Sequence, residues 1–98
     1  SSIEAHSVEK VTAAESGLSS LSAAVENLAS RFELTKREAE IMLYLARGYT
    51  LSQTAETLCL SINTIRSHAT SLYRKLGIHK KRQLIAAIEE SMQSAESD

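Results

Sequence analysis

Ninety-eight residues, 43% of them apolar, describe one small folded domain, too short for two cores and too apolar for wholesale disorder. With no proline and only three glycines the chain is predicted to be all-helical, and one cysteine excludes an intrachain disulfide framework or a multi-cysteine zinc site. The net charge of −1 hides an uneven distribution: between Thr57 and Ile88 there is no acid, while Arg66, Arg74, Lys75, Lys80, Lys81 and Arg82 all fall there, flanked by acidic ends.

No apolar run approaches the ~18 residues of a membrane span, and no signal-peptide pattern opens the chain. It begins at Ser1 without a methionine, as expected of a piece of something longer. Val11, Ala14, Leu18, Leu21, Val25, Leu28 and Phe32 then recur at spacings of 3 and 4, which predicts an amphipathic helix over about 8–31. Gly17 inside it costs roughly 1 kcal/mol against alanine. Two uses fit the stripe equally: packing on its own domain, or pairing two chains as a coiled-coil arm or linker.

Thr35-Lys36-Arg37-Glu38 is a capping box that starts the next helix. Ile41, Met42 and Leu45 form its inward stripe, Tyr44 extends it, and Gly48 ends it. A second box, Thr50-Leu51-Ser52-Gln53, opens a short helix over about 51–58 with Ala55 and Leu58 inward. Cys59, between two leucines at the turn, is expected to be a small buried residue. Ser61 caps a longer helix that stops at Gly77. A last helix, about 80–93, carries Leu84, Ile85, Ala87, Ile88 and Met92, with Leu84 and Ile88 toward the core and Ile85 and Met92 toward a dimer or the arm. Residues 94–98 are expected to be a disordered tail.

Helices joined by a three- or four-residue turn make a helix-turn-helix. The decisive segment is 61–76. Advanced by ~100° per residue, Ile62, Ile65, Ala69, Leu72 and Leu76 fall within an arc of ~80°. Asn63, Arg66, Ser67, Thr70 and Arg74 fall opposite, within ~100°, with no acid and no large apolar residue among them. Such a face suits the major groove: arginine pairs with guanine, asparagine with adenine, and hydroxyls with either partner. An ordinary solvated face would more often alternate Glu with Lys or Arg at i, i+4.

These residues resemble LuxR/GerE-type helix-turn-helix domains of bacterial transcription regulators. The resemblance is carried by Leu34-Thr35-Lys36-Arg37-Glu38-Ala39-Glu40-Ile41-Met42, by Ser61-Ile62-Asn63-Thr64-Ile65-Arg66-Ser67-His68, and by Tyr73-Arg74-Lys75-Leu76-Gly77-Ile78 with Arg82. It implies a four-helix DNA-binding domain over 32–93, preceded by the helical arm at 1–31. The family's third helix enters the major groove, which points to Arg66, Ser67 and Thr70 as base readers beside Asn63. Phosphate contacts are implied for Thr50, Ser52, Thr64, Arg74 and Lys75. His68 is placed on the flank near phosphate, with a packing role close behind. The second helix departs from the family's Asn-Lys-Glu-Ile: this chain has Leu51-Ser52-Gln53-Thr54 and lacks that phosphate-gripping lysine.

The reading is a cytoplasmic output domain that binds double-stranded DNA as a homodimer on an inverted repeat, with RNA polymerase as a candidate further partner. Dimer contacts are expected from Leu84, Ile85, Ile88 and Met92, and from Leu18, Leu21, Val25 and Leu28 of the arm. The alternative is a protein-interaction module that keeps the fold without DNA. No cofactor, small-molecule ligand or membrane contact is expected of this segment. No enzyme is expected either: His6, His68 and His79 lack metal-site spacing, and no nucleophile has an adjacent base.

Overall fold

The computed structural model describes residues 13–97, with side chains described for 17 and 20–94. Five helices follow in order: α1 (Ala13–Arg31), α2 (Lys36–Ala46), α3 (Leu51–Leu58), α4 (Ile62–Leu76) and α5 (Lys81–Ser97). Among the described residues there is no strand. Residues 8–12 of the predicted first helix lie outside the described residues, as do the side chains of Ala14 and Leu18.

The helix starts are set by side-chain caps. Glu38 N donates to Thr35 Oγ1 at 3.1 Å, and Thr35 N returns a bond to Glu38 Oε1 at 2.9 Å. Gln53 and Thr50 repeat the arrangement at 3.0 and 2.9 Å. At α4, Ser61 Oγ accepts from Thr64 N at 3.1 Å. The start of α5 is held from inside: Gln83 Oε1 accepts from His79 N and Lys80 N at 2.7 and 2.8 Å.

The helix ends need left-handed backbone. Gly48 (φ 94) follows α2, and Gly77 (φ 69) closes α4. Cys59 closes α3 at φ 57, and Glu33 turns the chain between α1 and α2 at φ 53. The expectation that Cys59 is buried is corrected, for it is exposed.

The core joins all five helices. Ala24, Val25 and Leu28 of α1 meet Ile41, Met42 and Leu45 of α2, Ala55 of α3, Ile65 and Leu72 of α4, and Leu84 and Ile88 of α5. Thr54 is also fully buried. It satisfies its hydroxyl by donating to Thr50 O at 2.8 Å.

α1 packs along α5 and against α2. In that seam Asn27 Nδ2 donates to Ser91 Oγ at 3.0 Å, with Ser91 buried. The described part of the arm thus shares one core with the helices that follow. The stripe of α1 buries apolar surface against its own chain, and that burial selects packing over extension. α5 runs as helix to Ser97, through most of the segment expected as a tail. Val25, Leu28, Leu84 and Ile88 are buried within the chain. Leu21, Ile85 and Met92 remain half-buried.

Replacing Gly77 with alanine has no steric neighbour to displace, so its effect is conformational alone. It should lower unfolding stability by about 1 kcal/mol in urea titration. Cys59→Gly, at an exposed position with the same backbone hand, should have the opposite sign, a gain of about 0.5 kcal/mol. Equal losses in both variants would contradict the left-handed assignment.

Candidate nucleic-acid interface

α4 presents the two faces that its sequence period requires. Ile65, Ala69 and Leu72 are buried, and Ile62 and Leu76 are half-buried beside them. Asn63, Arg66, Ser67, Thr70 and Arg74 are all exposed. Among the described residues, neither Arg66 nor Arg74 takes part in an ion pair; the two pairs there are Arg37–Glu40 and Lys75–Glu38. Thr70 Oγ1 donates to Arg66 O at 2.9 Å, which leaves its lone pairs facing outward. Arg74 Nη2 reaches Ser71 Oγ at a long 3.3 Å, a contact that holds the guanidinium along the helix without neutralising it.

The hydroxyl-bearing candidates sit at the starts of α3 and α4. Thr50 and Ser52 are exposed on the first turn of α3. Thr64 is half-buried, its Oγ1 2.9 Å from Ser61 Oγ, and His68 is half-buried on the flank of α4. The fold brings the start of α3 beside the middle of α4 and the start of α5. Thr50 and Thr70 line one surface cleft with Tyr73 and Lys81. Lys81 Nζ donates to Tyr49 O at 2.9 Å, just ahead of the α3 cap. In the sequence Lys81 belongs to the basic 66–82 stretch without a place of its own. Its signal was only membership of the acid-free run, and the closeness of the α5 start to the α3 start is a tertiary fact.

Tyr44, Arg47 and Tyr49 brace the turn that leads into α3. The tyrosine rings are tilted at 53° with centroids 5.0 Å apart, and the Arg47 guanidinium lies 5.6 Å from the Tyr49 ring.

Lys75, the other cation expected to meet phosphate, is engaged within the protein. Its Nζ lies 2.7 Å from Glu38 Oε1 and donates also to Glu33 O at 3.2 Å. The ammonium is directed back into the protein because a buried carboxylate, 3% exposed, demands a partner there. Burial pushes the Glu38 carboxyl up. The hydrogen bonds from Lys75, Ser71 and the Thr35 N–H, with the charge on Lys75, outweigh it and hold the carboxyl at about 2 instead of the ordinary 4.5. Lys75 follows Arg74 in the same acid-free run, and the ~100° step between them turns it off the open face.

Among the described residues no group of three His, Cys, Asp or Glu could hold a metal ion, and no helix is long and apolar enough to cross a membrane.

Residues 33–88 match the GerE family, the bacterial regulatory proteins of the luxR family. The chain is similar to the oxygen regulatory protein NreC of Staphylococcus aureus, in strains JH9, JH1 and Mu3. Identity is 40% over 52 residues, which is 53% of this chain and 24% of each relative. The match thus spans well under two thirds of those relatives' length. No solved structure matches the chain with significance.

Lys75→Met should leave the Glu38 carboxylate buried without its partner. The expected loss is about 2 kcal/mol, below that of a fully enclosed pair because the Lys75 side chain is 28% exposed. A carboxyl held low in the folded state stabilises above its ordinary pKa and ceases to do so as pH falls through its folded value. The gap between wild type and Lys75→Met should therefore be full at neutral pH and narrow from about 4.5 down to about 2. Urea titrations at neutral pH and at about pH 3 check this. A gap of constant size would assign the loss to the lysine's methylenes instead of its charge.

Proposed function

This chain belongs to the luxR family of bacterial regulatory proteins, and we propose that it binds double-stranded DNA as the output domain of a longer transcription regulator. α4 lies in the major groove, with Asn63, Arg66, Ser67 and Thr70 toward the base edges. The observation that carries this reading is the face of α4 itself: five exposed polar or cationic side chains, no acid, and a buried stripe behind. A ~12 Å groove admits one helix, and only a helix with its core side occupied can offer the other side to bases.

Sequence readout and affinity then come from different atoms. The Arg66 fork suits guanine O6 and N7, and Asn63 suits adenine. Thr50 and Ser52 at the α3 start, Thr64 and His68 on α4, and the Arg74 guanidinium hold the backbone without reading it. The lysine missing from α3 removes one such grip. Lys81, at the cleft shared by Thr50 and Thr70, stands close enough to supply a positive charge to the same backbone.

The domain acts as a homodimer on an inverted repeat, in the cytoplasm, with RNA polymerase as a further partner. Leu21, Ile85 and Met92 are the apolar side chains that α1 and α5 leave partly open for a second subunit. They line a common groove with Arg47 and Glu89 on its rim, charges of opposite sign that a two-fold axis would bring together. The match to relatives over 24% of their length supports placing an input domain elsewhere in the parent.

Titration against DNA duplexes at two salt concentrations tests the reading. Binding should be present at low salt and fall as salt rises. Arg66→Ala should lower affinity for the preferred duplex by ~1–3 kcal/mol and relax preference at one base pair. Arg74→Ala should weaken all duplexes alike and reduce the salt slope by about one unit. A chain that binds no duplex even at low salt would leave the protein-interaction module as the better account.

A further inference from the structure

Lys75 follows Arg74 on α4, yet the two side chains serve different ends. Arg74 is exposed, whereas Lys75 runs back to the corner between α1 and α2. Its ammonium binds the carbonyl of Glu33, a residue in left-handed backbone, and the carboxylate of Glu38, which at the same time accepts from the Thr35 N–H. One cation thus joins the last turn of α4, the corner that leaves α1, and the first turn of α2.

Apart from these bonds and that of Ser71 to the same carboxylate, α4 is seated on the core by apolar contacts, through Ile65 and Leu72. Apolar burial is non-directional, so such a stripe is satisfied over a range of small tilts and axial slides. A charge-assisted hydrogen bond of 2.7 Å is satisfied over a much narrower range. Buried ion pairs add little net stability against apolar replacements, and their best-attested use is to select one register among several.

We infer that Glu38 and Lys75 are positioning residues for DNA binding: they set the tilt and axial position of α4, and so where Arg66, Ser67 and Thr70 stand against the base pairs, without touching nucleic acid. The inference rests on the reading of α4 as the DNA-facing helix.

The test is the double substitution Glu38→Gln with Lys75→Met. Net charge is unchanged, no buried charge is left alone, and the glutamine keeps the bond to the Thr35 N–H, as Gln53 does for Thr50. Affinity is measured by fluorescence anisotropy for a duplex that the wild-type chain selects from a randomised pool, and for a scrambled duplex of the same composition, across a salt series. Thermal unfolding and helical circular dichroism establish that the variant is folded.

The ratio of selected to scrambled affinity should fall by about tenfold, the worth of one misplaced base contact, with the salt slope unchanged. Lys75→Arg keeps the charge but alters its reach and geometry, and should lower the same ratio in a chain whose Glu38 remains paired. An equal loss on both duplexes with a slope smaller by about one unit would make Lys75 a phosphate contact and overturn the inference. An unchanged ratio in both folded variants would reduce the pair to a fold-stabilising role and overturn it too. Failure of the wild-type chain to bind any duplex at low salt is a separate result. It would overturn the DNA reading itself.

Discussion

The rest of the structure depends on α4 burying one stripe while keeping the opposite one open. Ile65 and Leu72 lie seven residues apart, two turns of helix, and both are fully buried. Ile41, Met42 and Leu45 of α2 share the same core with them. A shift of one residue along the helix would turn the whole set by ~100° and bring Arg66 into the core. Ser61 and Gly77 guard against that shift from either end, one by accepting a backbone bond and the other by reversing the chain.

Stability and geometry come from different interactions here. Apolar burial across the five helices supplies the driving force. The polar contacts inside are few and directional: Lys75 with Glu38, Asn27 with Ser91, and Thr54 with the Thr50 carbonyl. Among the described residues, no buried side-chain nitrogen or oxygen is left without a partner. Each of these bonds spans a junction where helices could slide, or closes a helix start that must stay in place. Arg74 and Lys75 show the division most plainly. They are adjacent cations in the same acid-free run, yet one is exposed and the other is paired with a buried carboxylate.

α1 changes how the flanks are understood. Its stripe has the spacing of a coiled-coil seam, and that spacing is equally the spacing of a helix lying on a domain. The chain's own α5 and α2 occupy it, which leaves a narrower apolar strip at Leu21, Ile85 and Met92. Burial of Val25, Leu28, Leu84 and Ile88 at home lowers what a second subunit could gain from these helices.

Local chemistry was legible in the amino acids. Thr35 with Glu38, Thr50 with Gln53, Ser61, and the glycines at 48 and 77 mark helix ends because their bonds close within four residues. The period of 61–76 separates core from open face by rotation alone, and the order of motifs places the chain in its family. What depends on distant residues was not legible. The partner of Lys75 lies 37 positions away and that of Asn27 lies 64 away. The outward turn of Cys59, the arrival of Lys81 beside the α3 cap, and the choice of α5 as the surface that receives α1 are likewise products of packing. Sequence periodicity states which side of a helix is apolar; only the assembled core decides what that side will touch.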